Sequence, residues 1–167
     1  ARHLAGLSPV TFVSPLASDP DDIRAEAASE ACEAALAALE ETVGDRQVIG
    51  RVDRIELSKN LLRGFLAYGD LLDRYPEHRG RVVFVAGAYP SREGVPAYAA
   101  YRADVEKAVA EINERFGTPD WTPIVLHVDD DFPRSVAILP RADVLLVNPI
   151  RDGLNLVATE GALVSDR

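Results

Sequence analysis

Four short apolar runs, each separated from the next by a longer amphipathic stretch, constrain the fold of this chain more than any other feature. The runs cover residues 48–52, 82–86, 124–128 and 144–147. Each is short enough to be a buried strand, and the stretches between them carry apolar residues at helical spacing. Strands that alternate with helices need crossover connections, which produce a parallel sheet. The sequence therefore predicts an α/β fold, a Rossmann-like parallel sheet flanked by helices.

The first part of the chain is predicted to hold a linker and one long helix. Residues 1–20 contain three prolines and are expected to be irregular. Asp19 can cap a helix with Pro20 at its first position, and this helix is predicted to run to about Gly44. The predicted organisation is thus a linker over residues 1–20 and one domain over residues 21–167.

The acid-rich composition limits the kinds of partner. A formal net charge of −9 argues against nucleic acid and anionic membrane surfaces, because phosphate neutralisation needs a basic face. No apolar run approaches the roughly 20 residues of a membrane helix, and the single cysteine, Cys32, excludes an intramolecular disulfide. We expect a cytoplasmic protein in which Cys32 is a small buried thiol. No methionine is present, and we expect the chain to have been cut from a longer one.

Polar and glycine-containing segments follow each predicted strand. They cover residues 53–60, 87–92, 129–134 and 148–155. The third segment leads into a short helix from about Pro133, and the fourth into a last helix from near Asn155. Because the carboxyl ends of parallel strands meet at one edge of a sheet, where ligands bind, we expect the four segments to form one site.

The first of these segments suits a diphosphate. Arg54 lies just past the first strand, and Lys59 lies at the start of a predicted helix, 58–75, that Ser58 can cap. Two cations and a helix N-terminus would bind phosphate. They would also stabilise a diphosphate leaving group, whose charge grows as its bond to a sugar breaks. The alternative is a surface arginine and lysine in ordinary exposed ion pairs.

The fourth segment suits a sugar. Asp152 and Gly153 form a tight turn before a helix, which permits close backbone approach. The Asp152 carboxylate can accept hydrogen bonds from sugar hydroxyls, and Glu160, in the following helix, can accept them from a ribose. The alternative is a simple turn in which the aspartate caps the helix.

Several motifs resemble those of the trehalose-6-phosphate synthases, glycosyltransferase family 20. They lie at residues 52–59, 90–92, 121–123 and 151–158, and the stretch of Val13, Pro15, Leu16 and Pro20 is also similar. The resemblance covers roughly residues 10–163. It implies a two-domain GT-B fold, of which this chain is most of the C-terminal half. Residues 21–167 would then be an incomplete nucleotide-sugar donor-binding domain, without the N-terminal acceptor domain.

The family resemblance also implies roles for individual residues. Arg54 and Lys59 match ligands of the donor diphosphate, and Arg92 matches the arginine that holds the acceptor phosphate. Phe132 matches a backbone contact to the nucleotide base. Asp152 and Gly153 match donor-sugar contacts, and Asp152, with Arg54 and Lys59, is expected to act in catalysis. The stretch that would contact the diphosphate and ribose comprises Asn155, Leu156, Val157, Ala158, Thr159 and Glu160.

The reaction implied by the resemblance moves glucose, with retention of configuration, from UDP- or GDP-glucose to glucose 6-phosphate, giving trehalose 6-phosphate. The usual family pattern differs at Glu56, Leu57, Asn60 and Thr159, and these departures leave the donor base open. This chain alone is expected to bind donor only, and to form a homo-oligomer through an exposed inter-domain face. Two alternatives are a pseudo-glycosyltransferase that couples cyclitols and a non-catalytic nucleotide-sugar-binding module.

No metal or other cofactor is expected. The acidic run over residues 129–131 follows a strand and precedes a helix, which is typical of a solvated capping turn. His3, His78 and His127 lack metal-ligand spacing and are expected to be structural. Trp121 is expected to pack in the core.

Overall fold

The computed structural model describes residues 10–165, and within this range the chain forms one four-stranded sheet. Every pairing in the sheet is parallel, and the strand order is β3-β2-β1-β4. The strands are β1 (Gln47–Arg54), β2 (Val82–Tyr89), β3 (Ile124–His127) and β4 (Val144–Leu145). The predicted α/β fold is therefore confirmed. Residues 10–19 have no regular secondary structure, and residues 1–9 of the predicted linker lie outside the described range.

Six α-helices flank the sheet within residues 10–165. They are α1 (Pro20–Ala27), α2 (Glu30–Val43), α3 (Leu61–Arg74), α4 (Pro96–Phe116), α5 (Phe132–Arg141) and α6 (Leu156–Val164). The predicted bounds of α4 are confirmed at both ends. None of these helices is long and apolar enough to cross a membrane.

The sheet lies between two helical layers. On one face, Phe84 of β2 packs against Phe65 and Tyr68 of α3, with ring centroids 5.0 and 5.5 Å apart. On the other face, β1 approaches α5 so closely that Gly50 lies directly against Ile138. Helix α2 packs on the outside of α5, and α1 and α6 pack on each other beside it. The core is therefore continuous through the sheet.

The strand order places a topological switch point between β1 and β4. From β1 the chain moves to β2 and then to β3 on one side, and returns to β4 on the other side of β1. Consecutive crossovers thus lead in opposite directions from β1, which opens a crevice at the carboxyl ends of β1 and β4. Arg54 ends β1 at this edge, so it is the last residue of the strand and does not lie past it.

The prediction of one helix from Asp19 to Gly44 was wrong, because the chain breaks into α1 and α2 at residues 28–29. Asp19 does cap α1, accepting from the backbone N–H of Asp21 at 3.0 Å. Ser29 is extended, with ψ 150°, and its hydroxyl accepts from the N–H of Cys32 at 3.1 Å. A second N-cap therefore stops the first helix and starts the next.

The predicted helix over residues 58–75 begins later than expected. Leu57–Lys59 forms a single 3-10 turn, and Asn60 then takes the left-handed conformation, with φ 62° and ψ 36°, before α3 starts at Leu61. Asparagine tolerates this conformation better than most residues. Ser58 is thus not the cap, and Lys59 lies two residues before the helix. At the far end, α3 stops at Arg74, one residue before the predicted end, and Tyr75 is its half-exposed C-cap.

The fourth strand is also shorter than predicted. Only Val144 and Leu145 pair with β1, whereas the apolar run extends to residue 147. The N–H of Leu146 still donates to the carbonyl of Gly50 in β1 at 2.9 Å, but the carbonyl of Asn148 accepts from the side-chain amide of Asn60 at 3.0 Å. Pro149 follows and has no N–H to donate to a ladder. The chain leaves the sheet here and forms a loop toward α6.

Replacing Gly50 with alanine should destabilise the fold. A methyl group at this position would lie 2.6 Å from the Cβ of Ala142 and 3.0 Å from the Cγ2 of Ile138, so β1 and α5 would have to separate. Overpacking of this kind costs about 1–3 kcal/mol. Urea denaturation measures it, with Gly94→Ala as the control because a Cβ on Gly94 has no neighbour within 4 Å. Equal stability of the two variants would contradict the packing described here.

Candidate functional site at the carboxyl edge of the sheet

Lys59 lies at the centre of the polar groups at this edge. Its Nζ donates to Oδ2 of Asp152 at 2.6 Å and lies 3.4 Å from Oδ1 of Asp53. Burial alone would lower the pKa of Lys59, but the hydrogen bond to Asp152 and the charge of Asp53 outweigh it and raise the pKa above its ordinary value. The ammonium is therefore firmly protonated at neutral pH. It joins the β1 edge to the loop before α6, as expected from the strand order.

A buried ion pair lies beneath Lys59. Arg51, in the interior of β1, has no exposed surface, and its guanidinium lies 2.9 Å from Oδ2 of Asp53. Arg51 also donates to the side-chain oxygen of Asn148 and to the carbonyl of Lys59. Burial raises the pKa of the Asp53 carboxyl, and the charges of Arg51 and Lys59 oppose that rise. The pair is thus held by contacts to two other segments of the chain, the turn after β1 and the loop after β4.

Two hydrogen bonds hold the two loops of the crevice together. The N–H of Ile150 donates to the carbonyl of Ser58 at 2.8 Å, and the side-chain amide of Asn60 donates to the carbonyl of Asn148 at 3.0 Å. The 3-10 turn after β1 and the loop after β4 are therefore fixed to each other. The position of Lys59 relative to Asp152 follows from this attachment.

The N-terminus of α6 faces the same site. Asn155 caps the helix, its side-chain oxygen accepting from the N–H of Ala158 at 3.2 Å, and its amide donates to Asp152 at 3.1 Å. Asp152 also accepts from the N–H of Leu154 at 3.3 Å. The hydrogen bond from Lys59 is the main reason that the pKa of Asp152 lies below its ordinary value. A helix N-terminus beside a lysine is a favourable place for a phosphate.

A cavity of about 630 Å³ lies between α6, α1 and the start of α5. It brings together Phe132, Leu156 and Glu160 with residues of α1 and the segment before it. The Phe132 side chain is half exposed at the start of α5. Glu160 accepts from the hydroxyl of Ser18 at 3.0 Å, a contact that sequence reasoning missed. These three predicted site residues therefore line one concave surface.

The other residues of α6 and its preceding turn are less enclosed. Gly153 and Thr159 are exposed, Ala158 is exposed beside the cap, and Val157 packs against the core. No atom lies within 4 Å of the place where a Cβ on Gly153 would stand. The turn is therefore open to a ligand on that side.

Arg54 and Arg92 lie in a second group of contacts. The Arg54 guanidinium, more than half exposed, lies 3.0 Å from Oε1 of Glu56, and the hydroxyl of Ser91 donates to the same oxygen at 3.0 Å. Arg92 has a left-handed backbone, with φ 49°, and its guanidinium bonds the hydroxyl of Tyr98 at 3.0 Å. The segment after β2 is thus tied to the segment after β1. Both arginines present charge to the solvent.

The acidic run after β3 is a capping turn, as predicted. Asp131 accepts from the N–H of Arg134 at 2.9 Å, and Asp129 and Asp131 both pair with the Arg134 guanidinium. Across residues 10–165, no three His, Cys, Asp or Glu side chains are grouped so that they could hold a metal ion. His127 lies in β3, where burial, followed by the charge of Arg134, lowers its pKa. Trp121 is buried, as predicted.

Sequence reasoning missed Arg51, and it gave no role to Asp53 and Asn148, which begin two of the predicted site segments. One signal was present, because Arg51 and Asp53 are charged residues at alternate positions of an otherwise apolar strand. Alternate positions share a face of a strand, and buried charges are normally paired. Asn148 gave no comparable signal, since a polar residue after a strand is common in loops.

Comparison with known sequences decides the family. Residues 5–167 match the sequence model of glycosyltransferase family 20. The chain belongs to glycosyltransferase family 20. The family resemblance of the sequence motifs is thereby confirmed.

Relatives in glycosyltransferase family 20 match most of this chain. A trehalose-6-phosphate synthase of Klebsiella pneumoniae is 37% identical over 158 residues, 93% of this chain and 33% of the relative. A bifunctional trehalose-6-phosphate synthase/phosphatase of Thermoproteus tenax is 40% identical over 126 residues, 75% of this chain and 17% of the relative. The chain therefore spans about a third or less of the length of these relatives.

Solved structures of the family share this fold. An E. coli protein bound with UDP-2-fluoro glucose matches with a TM-score of 0.83 and 35% identity, over 97% of this chain and 36% of that one. An α,α-trehalose-phosphate synthase from Burkholderia xenovorans in complex with glucose-6-phosphate matches with a TM-score of 0.82 and 35% identity, over 91% of this chain and 34% of that one. The Rossmann-like architecture is therefore that of the family.

Proposed function

We propose that this chain is the donor-binding part of a retaining glucosyltransferase. The full reaction would transfer glucose from a nucleotide-glucose donor to glucose 6-phosphate, giving trehalose 6-phosphate. The observation that carries this proposal is the Lys59–Asp152 pair at the switch point between β1 and β4, beside the N-terminus of α6. The cation and the helix N-terminus can bind a diphosphate, and the carboxylate can bind a sugar next to it.

The relatives support both substrates. The E. coli structure carries a UDP-sugar analogue, and the Burkholderia structure carries glucose-6-phosphate. Three of the motifs that carry the family resemblance, at residues 52–59, 90–92 and 151–158, lie at or after the carboxyl ends of β1, β2 and β4 in this chain. We therefore propose UDP-glucose or GDP-glucose as the donor and glucose 6-phosphate as the acceptor, with Arg92 at the acceptor phosphate.

The site can act by stabilising the leaving group. As the bond between the sugar and the diphosphate breaks, negative charge grows on the diphosphate. Lys59, Arg54 and the free N–H groups of α6 would stabilise that charge more strongly in the transition state than in the ground state. Asp152 would hold the sugar by its hydroxyl groups. No step of this scheme needs a metal ion, and we propose that donor binding is metal-independent.

The cavity of about 630 Å³ would receive the nucleoside. Glu160 is placed to accept from ribose hydroxyls in exchange for Ser18, and Phe132 stands at the cavity wall, where its backbone can meet the base. The diphosphate would then lie at the N-terminus of α6, between the nucleoside in this cavity and the sugar beside Asp152.

Calorimetric titration with UDP and with GDP, in the presence of a chelator, tests the proposed function. We expect one of the two to bind, and Arg54→Ala to weaken it several-fold through loss of a charged contact. Arg74→Ala is the matched control, since Arg74 pairs with Asp70 near the C-terminal end of α3. Absence of binding for both nucleotides would count against the proposal, as would binding that is seen without the chelator and lost when the chelator is present.

A further inference from the structure

The two carboxylates beside Lys59 differ in how firmly they are held. Asp53 lies within β1, where it pairs with Ala88 of β2, and its side chain is 4% exposed. Asp152 lies in the loop before α6, and its side chain is 16% exposed. A donor sugar can reach Asp152 from the crevice, whereas Asp53 lies behind the lysine. The contact with Asp53 therefore persists when Asp152 is engaged elsewhere.

Arg51 fixes the Asp53 carboxylate from behind. The Arg51 guanidinium pairs with Oδ2 of Asp53 at 2.9 Å. The other carboxylate oxygen, Oδ1, lies 3.4 Å from Nζ of Lys59. Within residues 10–165, Oδ1 has no hydrogen bond of good geometry, and the Lys59 ammonium is its near cation. The same guanidinium also bonds the carbonyl of Lys59, so it holds both ends of the contact.

The sequence of α3 provides the space for this arginine. A Cβ on Gly64 would lie 2.8 Å from Nη1 of Arg51, so a glycine at this turn of the helix lets the guanidinium lie beneath α3. A buried arginine and aspartate together carry no net charge. Asp53 can therefore stand behind a phosphate-binding lysine with little repulsion of an incoming anion.

We propose that Asp53, held by Arg51, is the positioning residue for Lys59. It does not touch the donor; it keeps the ammonium aimed at the diphosphate once Asp152 has turned to the sugar. The inference rests on the proposed function for the identity of the ligand. The contact between Asp53 and Lys59 can nevertheless be tested without any ligand.

The test without ligand uses the two lysines of the chain, Lys59 and Lys107. Protein labelled in lysine with ¹³C and ¹⁵N gives two resolvable side-chain signals whose pH titrations report the two ammonium groups. Asp53→Asn keeps the shape of the side chain and removes its charge, so the pKa of Lys59 is expected to fall while that of Lys107, on α4, stays unchanged. A Lys59 titration identical in wild type and variant would overturn the proposal.

The second arm measures UDP affinity in a double-mutant cycle. Asp53→Asn is expected to weaken UDP binding roughly tenfold when Lys59 is present, and to change it less than about twofold in a Lys59→Gln background. An equal loss in both backgrounds would show that Asp53 acts through the fold and would overturn the proposal. If the wild-type protein binds GDP and not UDP, the cycle is measured with GDP; if it binds neither, the proposed donor is wrong, and the lysine titration still tests the contact between Asp53 and Lys59.

A second variant protects the test against a folding defect. Should Asp53→Asn not fold, Gly64→Ala displaces the Arg51 guanidinium from the side of α3 and leaves the charge of Asp53 in place. The Lys59 signal is then expected to move and that of Lys107 to stay. An unmoved Lys59 signal in a folded Gly64→Ala protein would equally overturn the proposal.

Discussion

Replacing Lys59 with glutamine should lower the affinity for a nucleoside diphosphate by about 10- to 100-fold. This range corresponds to the roughly 1.5–3 kcal/mol of a hydrogen bond to a charged group. The Lys59 ammonium pairs with Asp152, in the loop before α6, at 2.6 Å, and glutamine removes this charge while keeping a polar, slightly shorter side chain. Calorimetric titration with the nucleoside diphosphate measures the loss.

Lys107→Gln is the matched control for this substitution. It makes the same change of charge on α4, where Lys107 is mostly exposed and pairs with Glu111. Its affinity should remain within about twofold of wild type, because an exposed surface charge contributes little. If the two glutamine variants bound nucleoside diphosphate equally well, Lys59 would not be a diphosphate ligand.

Replacing Asp152 with asparagine should have opposite effects on two related ligands. The Asp152 carboxylate pairs with Lys59 at 2.6 Å, and a diphosphate must compete with it for the ammonium. Without that charge the competition is relieved, so a nucleoside diphosphate should bind several-fold more tightly. The nucleotide-glucose donor should bind about tenfold more weakly, because hydrogen bonds from sugar hydroxyls to a charged acceptor are lost.

The comparison of UDP with UDP-glucose, or of the GDP pair, measures this split. Asp120→Asn is the control, since Asp120 is exposed in the turn before β3, at the opposite edge of the sheet. It should leave both affinities unchanged. If Asp152→Asn lowered the affinity for both ligands alike, Asp152 would stabilise the loop and would neither compete for Lys59 nor bind the sugar.

The sheet could be predicted from the sequence because its strands are short apolar runs that alternate with amphipathic helices. The bounds of α4 could also be predicted from the sequence, since Pro96 starts the helix and Gly117 follows its end. The ends of α2 and α3 could not, because they depend on caps. Ser29 interrupts a continuous helical pattern. Asn60 takes a left-handed conformation, and α3 begins after it and not after the predicted cap, Ser58.

The candidate site was predicted in outline and missed in its interior. Lys59 and Asp152 are 93 residues apart, and the switch point brings them together as the strand order requires. The pair of Arg51 and Asp53 lies beneath them; the alternate spacing of the two charges hints at it, and the packing of α3 over β1 shows how it is held. A family motif marks the residues that face the ligand, whereas the residues that hold them depend on three-dimensional contacts. The domain division, the residue roles and the expected homo-oligomer stay predictions.

Mapping a bound nucleoside diphosphate by amide NMR tests the central claim most directly. The spectrum of this chain would be recorded with and without saturating UDP or GDP, with a chelator present. We expect changes in residues 53–60 and 148–160, which meet at the carboxyl ends of β1 and β4, and none in residues 45–47 and 118–122 at the opposite edge. An unchanged spectrum, or changes confined to the opposite edge, would contradict the assignment of a donor site to this crevice.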